Sequence, residues 1–259
     1  IFPLGMGIFG AVFATSLAPI ISMLILSPYF VRKKNHFRLK RCRISARLLL
    51  QTISSGLPSL ITEVSSGIVI IVFNMILMNL EGNIGVAAYG VIANLSLVVM
   101  SIYTGIAQGI QPIISSNYGK GYTPNVQAIL RYALITVLLL SGAIYLCVFL
   151  GAEQIAGIFN SEHNMLLQSI AVNGLKCYFT ACVFAGLNII LSVYFTSTDC
   201  PLPAHMISLL RGFFIIIPMA FLMSTFGGIT GVWFAFPLTE CLVSAIGIIL
   251  YLLVRKKRS

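Results

Sequence analysis

The stretch Gly56–Asn74, GLPSLITEVSSGIVIIVFN, decides how the rest of the chain is interpreted. It is apolar and long enough to cross a bilayer, which takes about 20 helical residues, yet it carries the carboxylate Glu63 in its interior. A charged side chain at the centre of a membrane helix costs about 2.5–3.5 kcal/mol on insertion scales. Glu63 is therefore a candidate functional residue, with a structural polar contact as the alternative.

The composition is that of an integral membrane protein. Of 259 residues, 58% are hydrophobic and only 8% are charged, against about 25% charged in an average soluble domain. The six cysteines and three histidines show no spacing typical of a metal site. We therefore predict an all-α membrane protein in a lipid bilayer, with no cofactor and no structural metal.

Apolar segments long enough for membrane helices recur along the chain. We predict about seven spans, near residues 3–29, 51–79, 85–115, 126–150, 165–196, 204–224 and 230–254. The chain starts with isoleucine, and one helix precedes a group of six, so we expect a sequence truncated at its N-terminus. The longest polar link, 31–50, is the expected boundary between two units, which we place near residue 48.

The charge distribution predicts the orientation in the membrane. The net charge is +10, and most of it lies in the link 31–50 and in the C-terminal tail 255–259. The links on the opposite side carry Glu81, Glu153 and Glu162 but no lysine or arginine. Because cytoplasmic loops are enriched in lysine and arginine, we predict a cytoplasmic link and a cytoplasmic C-terminus. This explains the basic clusters without a nucleic-acid partner, and contact with anionic lipid is compatible with it.

Polar side chains form a stripe on each of two consecutive predicted helices. On the second span, Glu63 shares a helix face with Ser59, Ser66 and Asn74. The third span carries a longer stripe with spacings of 7, 3, 4, 3 and 4 residues: Asn94, Ser101, Thr104, Gln108, Gln111 and Ser115. Such a stripe indicates either hydrogen bonds between helices or the wall of a water-filled cavity. For the stripe as a whole we favour the cavity.

Of three further embedded charges, two have two interpretations each and the third has one. Lys176 lies in the outer third of the fifth span, where its stem can carry the ammonium to the interface or the charge can be functional. Glu240, near the middle of the last span, can serve function or packing, so Glu240 and Lys176 are candidates for a second charged site. For Arg211, near the start of the sixth span, we predict a structural role at an interface.

Two other protein classes fit parts of this pattern. A seven-helix receptor has the same helix count and orientation, but there is no DRY-like triplet after the third span and no NPxxY in the seventh. An intramembrane enzyme would need a paired acid, a serine–lysine pair or an HExxH motif, and the sequence offers none of them. We therefore predict that the protein is not an enzyme.

Four strings together resemble the multidrug and toxic compound extrusion (MATE) family of secondary transporters. They are GLPSLITEV at 56–64, AAYGVIANLSLVVMSIYTGIAQGIQPIISSNYGKG at 87–121, LLRGFFIIIP at 209–218 and GVWFAFPLTE at 231–240. The family has twelve helices in two six-helix lobes. The resemblance implies that residues 1–30 are the last helix of the N-terminal lobe, 31–50 the cytoplasmic inter-lobe loop, 51–254 the C-terminal lobe and 255–259 a basic tail.

The resemblance also implies a function: export of amphipathic, often cationic drugs or toxic compounds across the cell membrane, in exchange for protons or sodium ions. Glu63 matches the acidic residue of the family's seventh helix that takes part in cation coupling, and it would be the site of a sodium ion if sodium is the coupling ion. Asn188 stands near the position where one branch has an aspartate in the tenth helix, so proton and sodium coupling both stay open. The alternative is a lipid-linked substrate flippase of related architecture.

The stripes and the resemblance together predict a substrate cavity between two lobes. Its expected lining residues are Asn74, Asn94, Thr104, Gln108, Gln111 and Asn188. The expected partners are a small-molecule substrate and the missing N-terminal lobe of the same protein. Our hypothesis is that Glu63 alternates between a charged form, stabilised by a cation or cationic substrate, and a protonated form, so that the coupling ion and the substrate compete for it.

Overall fold

The computed structural model describes residues 7–31, 45–160 and 164–258, and within these ranges the chain is helical without a β-strand. The α-helices in chain order are α1 Gly7–Val31, α2 Ala46–Gly119, α3 Thr123–Phe159, α4 Met165–Tyr178, α5 Cys182–Ser197, α6 Pro201–Leu209 and α7 Ile216–Arg258. A 3₁₀ turn, Phe179–Ala181, joins α4 to α5, and a π-helical segment, Leu210–Phe214, joins α6 to α7. The predicted all-α class is confirmed. Most of the predicted basic link, residues 32–44, lies outside the described residues.

The chain divides into two compact units, Ile1–Ala46 and Arg47–Ser259. The first contains α1, a helix of 25 residues with Pro19 and Pro28 inside it. The second contains α2 to α7. All the residues of the candidate site belong to the second unit.

Single glycines kink the two longest helices. Gly82 in α2 has φ 63 and ψ −148, and Gly228 in α7 has φ 53 and ψ −138. Residues with a Cβ rarely adopt positive φ, whereas glycine does so at little cost. The two kinks fall in the links predicted between the second and third spans and between the sixth and seventh, so α2 and α7 each hold two of the predicted spans.

Four helical stretches of the second unit are long and apolar enough to cross a membrane: Gly56–Gly119, Thr123–Phe159, Met165–Ser197 and Pro201–Lys256. The kinks divide the first and last of these, which gives six apolar helical segments. Large side chains on the outer surface, such as Leu139 and Leu150, are about 70% exposed, as expected where the neighbours are lipid chains.

The six segments pack closely where glycine faces a large side chain. A Cβ on Gly174 in α4 would collide with Ile92 and would lie 3.1 Å from Trp233, which is 1% exposed. A Cβ on Gly186 in α5 would likewise collide with Val137 in α3. Small residues allow such close approach between membrane helices, and these contacts hold α4 against α2 and α7, and α5 against α3.

Candidate functional site

A cavity of about 580 Å³ opens in the second unit, with walls from both halves of α2 and from α4 to α7. Its lining mixes hydroxyl and amide side chains with aliphatic, aromatic and methionine side chains. The charged side chains among the described lining residues are Glu63, Arg211 and Glu240. This combination is typical of a binding site for small amphipathic molecules, because apolar walls supply contact area and a few polar groups fix orientation.

Glu63 lies on the cavity wall with an exposed side chain. Within the described part of the chain, its carboxylate has no hydrogen-bond or ion-pair partner, since the hydrogen bond from Ser66 Oγ, at 2.8 Å, goes to the Glu63 backbone carbonyl. The hydroxyl side chains Ser59, Thr62 and Ser66 line the same wall. Glu63 therefore presents a carboxylate to whatever enters the cavity, on a wall that also carries hydroxyl oxygens.

The polar stripe of the third predicted span lies on the cavity wall along its central part. Thr104, Gln108 and Gln111 line the cavity together with Ser101. Asn94 lies outside the lining, and its side-chain amide donates a 2.9 Å hydrogen bond to the Gly90 carbonyl. The stripe repeats every seven residues, and such a repeat drifts by about 20° per heptad around a straight α-helix. This drift helps to explain why Asn94, at the N-terminal end of the stripe, lies outside the cavity wall.

Asn74 and Asn188 also lie outside the lining. Asn74 is partly buried and lies in α2 on the C-terminal side of Glu63. Asn188 is fully buried in α5, and its side-chain Nδ2 donates to Oε2 of Glu240 at 2.7 Å and to the Glu240 backbone carbonyl at 3.0 Å. Ser244 Oγ lies 3.2 Å from Asn188 Oδ1. Asn188 thus contacts the cavity only through Glu240.

Arg211 and Glu240 form a buried ion pair on the cavity wall. Arg211 donates from Nε at 3.1 Å and from Nη2 at 2.8 Å, both to Oε1 of Glu240. The side chains are 12% and 1% exposed, respectively. The sequence predicted a structural role for Arg211 and did not pair it with Glu240. The structure brings them together and places both at the cavity.

The π-helical segment carries Arg211, and its residue Gly212 packs against the helix of Glu63. The widened turn is closed by a 2.9 Å hydrogen bond from Ile215 N to Leu210 O, and π-bulges are frequent at functional sites. A Cβ on Gly212 would lie 2.6 Å from the Cβ of Ser65 in α2. Thr62 Oγ1 donates to Ser208 Oγ at 3.3 Å one turn away. The glycine after the arginine in LLRGFF is the sequence feature that could have indicated this contact.

Aromatic side chains form an apolar part of the wall, and the sequence gives no local signal for it. Tyr178 and Phe236 are stacked, with ring centroids 4.5 Å apart and planes inclined by 9°. Tyr89 lines the cavity too and stacks on Trp233 at 6.3 Å. These rings come from α2, α4 and α7, so no local spacing in the sequence groups them. Their faces can attract organic cations.

Lys176 lies away from the cavity. Its Nζ is 5.3 Å from the centroid of the Phe149 ring, a cation–π contact between α4 and α3. It is not among the cavity-lining residues. Of the two residues named as candidates for a second charged site, the structure therefore places only Glu240 at the cavity.

Comparison with known proteins identifies the family. The MatE family model matches residues 58–222, which include Glu63, Arg211 and most of the cavity-lining residues. The chain belongs to the MatE family. The resemblance to MATE transporters predicted from the sequence is confirmed.

Relatives and solved structures of the MatE family agree with this assignment. The multidrug export protein MepA of Staphylococcus saprophyticus is 23% identical over 99% of this chain, and MepA of Staphylococcus aureus strain MSSA476 is 22% identical over the same share. The outward-facing conformation of a multidrug resistance MATE family transporter superposes with a TM-score of 0.86 at 19% identity over 96% of this chain. The chain spans about 56% of the length of each of these proteins. The fold is therefore that of roughly half a MATE transporter.

Proposed function

We propose that the native protein exports amphipathic cationic compounds across the cell membrane, in exchange for protons or sodium ions, by alternating access. The observation that carries the proposal is the Glu63 carboxylate, which faces a cavity of about 580 Å³ without a partner among the described residues. An ionisable group inside a membrane protein is expensive to keep and marks ion or substrate pathways. Family membership and the MepA relatives support a multidrug efflux transporter.

The lining favours amphipathic cations as substrates. Tyr89, Tyr178 and Phe236 offer aromatic contact area, and Met100 adds a flexible side chain that adapts to different shapes. Glu63 supplies the charge that attracts a cation. Flexible and aromatic walls of this kind suit a binder that accepts many related molecules.

The coupling follows from competition for one carboxylate. A proton or a sodium ion on Glu63 neutralises the charge that a cationic substrate needs, and the hydroxyls of Ser59, Thr62 and Ser66 add the oxygen ligands that hard cations prefer. If only the ion-loaded and substrate-loaded forms change between inward-facing and outward-facing states, antiport results. Sodium and proton coupling both remain compatible with this lining.

The opposite wall of the cavity would come from a second lobe of the native protein. This part of the proposal is supported by the MATE relatives, whose chains are nearly twice as long as the matched region. The basic link and the basic C-terminus would lie on the cytoplasmic side, because positive residues are retained there. Rocking of one lobe against the other would then open the cavity to each side in turn.

The test is ethidium transport into inside-out membrane vesicles that contain the native protein, driven by a proton or a sodium gradient. We expect Glu63→Gln to abolish gradient-driven uptake. The matched control is Glu153→Gln, an exposed carboxylate of α3 outside the cavity, which should transport as the unsubstituted protein does. Gradient-driven uptake that survives Glu63→Gln would overturn the assignment of Glu63.

A further inference from the structure

Glu240 carries a negative charge at the cavity, but the structure leaves it no free oxygen. Oε1 accepts both hydrogen bonds from Arg211, and Oε2 accepts the Asn188 amide at 2.7 Å. The Glu240 side chain is 1% exposed and that of Arg211 12% exposed, so the carboxylate is the more enclosed member of a pair that lines the cavity. A ligand therefore meets a compensated pair at this position.

Glu63 is then the one uncompensated charge among the described residues of the cavity lining. The three charged side chains leave the wall with a single net negative charge, because Arg211 offsets one of the two carboxylates. Without the guanidinium, the same wall would carry both negative charges. Interactions between charges near a protein surface are stronger than in bulk water, so this difference bears directly on which ligands bind.

We propose that Arg211 is a specificity-determining residue that sets the charge of the preferred substrate: by neutralising Glu240, it restricts the cavity to organic monocations and disfavours dications. The inference rests on the proposed function and names the substrate class for the same cavity. It assigns Arg211 a role toward the substrate, beyond the packing role of an internal ion pair.

The placement of Arg211 supports this role. Gly212 and Ser208, on either side of it, contact Ser65 and Thr62 of α2, and Glu63 lies between those two residues in the chain. The guanidinium and the free carboxylate are thus held on two helices that pack together at the same level. A substrate drawn to Glu63 is exposed to the field of the Arg211–Glu240 pair as well.

Ethidium and propidium provide a matched pair of probes, because they share the phenanthridinium ring and propidium carries an additional quaternary ammonium. The measurement is equilibrium binding of each dye to the purified native protein by fluorescence anisotropy, at one fixed ionic strength because salt screens such effects. The quantity compared is the ratio of propidium affinity to ethidium affinity. Binding is independent of any ion gradient, so it can be read even where transport is lost.

Each single substitution below changes the net charge of the cavity wall by one unit, except Arg211→Lys, which keeps it. Arg211→Met should raise the propidium-to-ethidium ratio about tenfold, which is the size expected for one charge at about 10 Å in a medium of intermediate dielectric. Glu240→Gln should lower the ratio by about the same factor. The double variant, with both changes, should return to the unsubstituted ratio. Arg211→Lys keeps the charge and should keep the ratio.

The outcomes separate this inference from the proposed function. If the unsubstituted protein binds neither dye, the proposed function fails. If it binds ethidium but the ratio is the same in Arg211→Met and in the unsubstituted protein, the specificity role of Arg211 is wrong while export of cations stands. Where Arg211→Met does not fold, the comparison of Glu240→Gln with the double variant isolates the Arg211 charge. The same propidium-to-ethidium ratio in those two proteins would also overturn the proposal.

Discussion

Arg211 and Glu240 are joined by two hydrogen bonds, of 2.8 and 3.1 Å, to a single carboxylate oxygen. The other oxygen of Glu240 is held by Asn188 at 2.7 Å. The network links the π-helical segment, α5 and α7, and it leaves Glu63 as the free carboxylate among the described lining residues. The carboxylate of Glu240 is therefore occupied by internal hydrogen bonds, whereas that of Glu63 is available to ligands.

The first prediction concerns the stability of this pair. Glu240→Leu should lower the free energy of unfolding by about 3–5 kcal/mol, because it leaves the Arg211 guanidinium partly buried without its partner. The double variant Glu240→Leu with Arg211→Met should recover most of that loss, since replacing both members of a buried pair by apolar residues is often neutral. Thermal unfolding of the purified native protein in detergent measures both. A double variant no more stable than the single one would contradict the account.

The second prediction tests the contact between the π-helical segment and α2. Gly212→Ala should destabilise the protein by about 1–3 kcal/mol, because the added methyl would lie 2.6 Å from the Ser65 Cβ and one helix must move. Adding Ser65→Gly removes the obstructing side chain and should restore part of the stability. The matched control is Gly109→Ala, where a Cβ meets nothing within 4 Å. The idea fails if Gly212→Ala and Gly109→Ala unfold at the same temperature.

The third prediction concerns the kink in α7. Gly228→Ala should cost about 1–3 kcal/mol, because a residue with a Cβ is strained at φ 53 and ψ −138. Its neighbour Gly227 has no positive φ and open space around it, so Gly227→Ala should be tolerated. Thermal unfolding of the two variants side by side checks this. Equal midpoints would mean that the kink does not depend on a glycine conformation.

The fourth prediction separates Lys176 from the site. Lys176→Met keeps the length of the stem and removes the charge above the Phe149 ring. Because Lys176 lies outside the cavity lining, initial rates of gradient-driven ethidium uptake should stay within about twofold of the unsubstituted protein, while the lost cation–π contact costs about 0.5–2 kcal/mol of stability. Loss of uptake in a well-folded Lys176→Met protein would place a functional charge there.

The helices and the Glu63 face follow from local properties of the sequence. Apolar length identified the spans, and the links between spans coincide with the kinks at Gly82 and Gly228. Spacing along one helix grouped Glu63 with Ser59 and Ser66, which share the cavity wall in the structure. These relationships are local because a helix fixes which residues share a face.

The Arg211–Glu240–Asn188 network could not be predicted in this way. Its members are separated by 29 and 52 residues and meet only when three helical elements pack together. The position of Asn188 shows the same limit: the family resemblance predicted it at the cavity, but whether its side chain meets the cavity or a neighbouring carboxylate depends on the rotation of α5. Rotation is set by contacts between helices, such as those at Gly174 and Gly186.

Competition between ethidium and the coupling ion for Glu63 is the sharpest test of the proposed antiport. The measurement is equilibrium binding of ethidium to the purified native protein while the sodium concentration is raised at constant ionic strength, and while the pH is lowered, in the unsubstituted protein and in Glu63→Gln. We expect sodium ions or protons to displace ethidium from the unsubstituted protein. Glu63→Gln should bind ethidium at least about tenfold more weakly, without displacement by either ion. Undiminished binding with intact competition in Glu63→Gln would contradict the account.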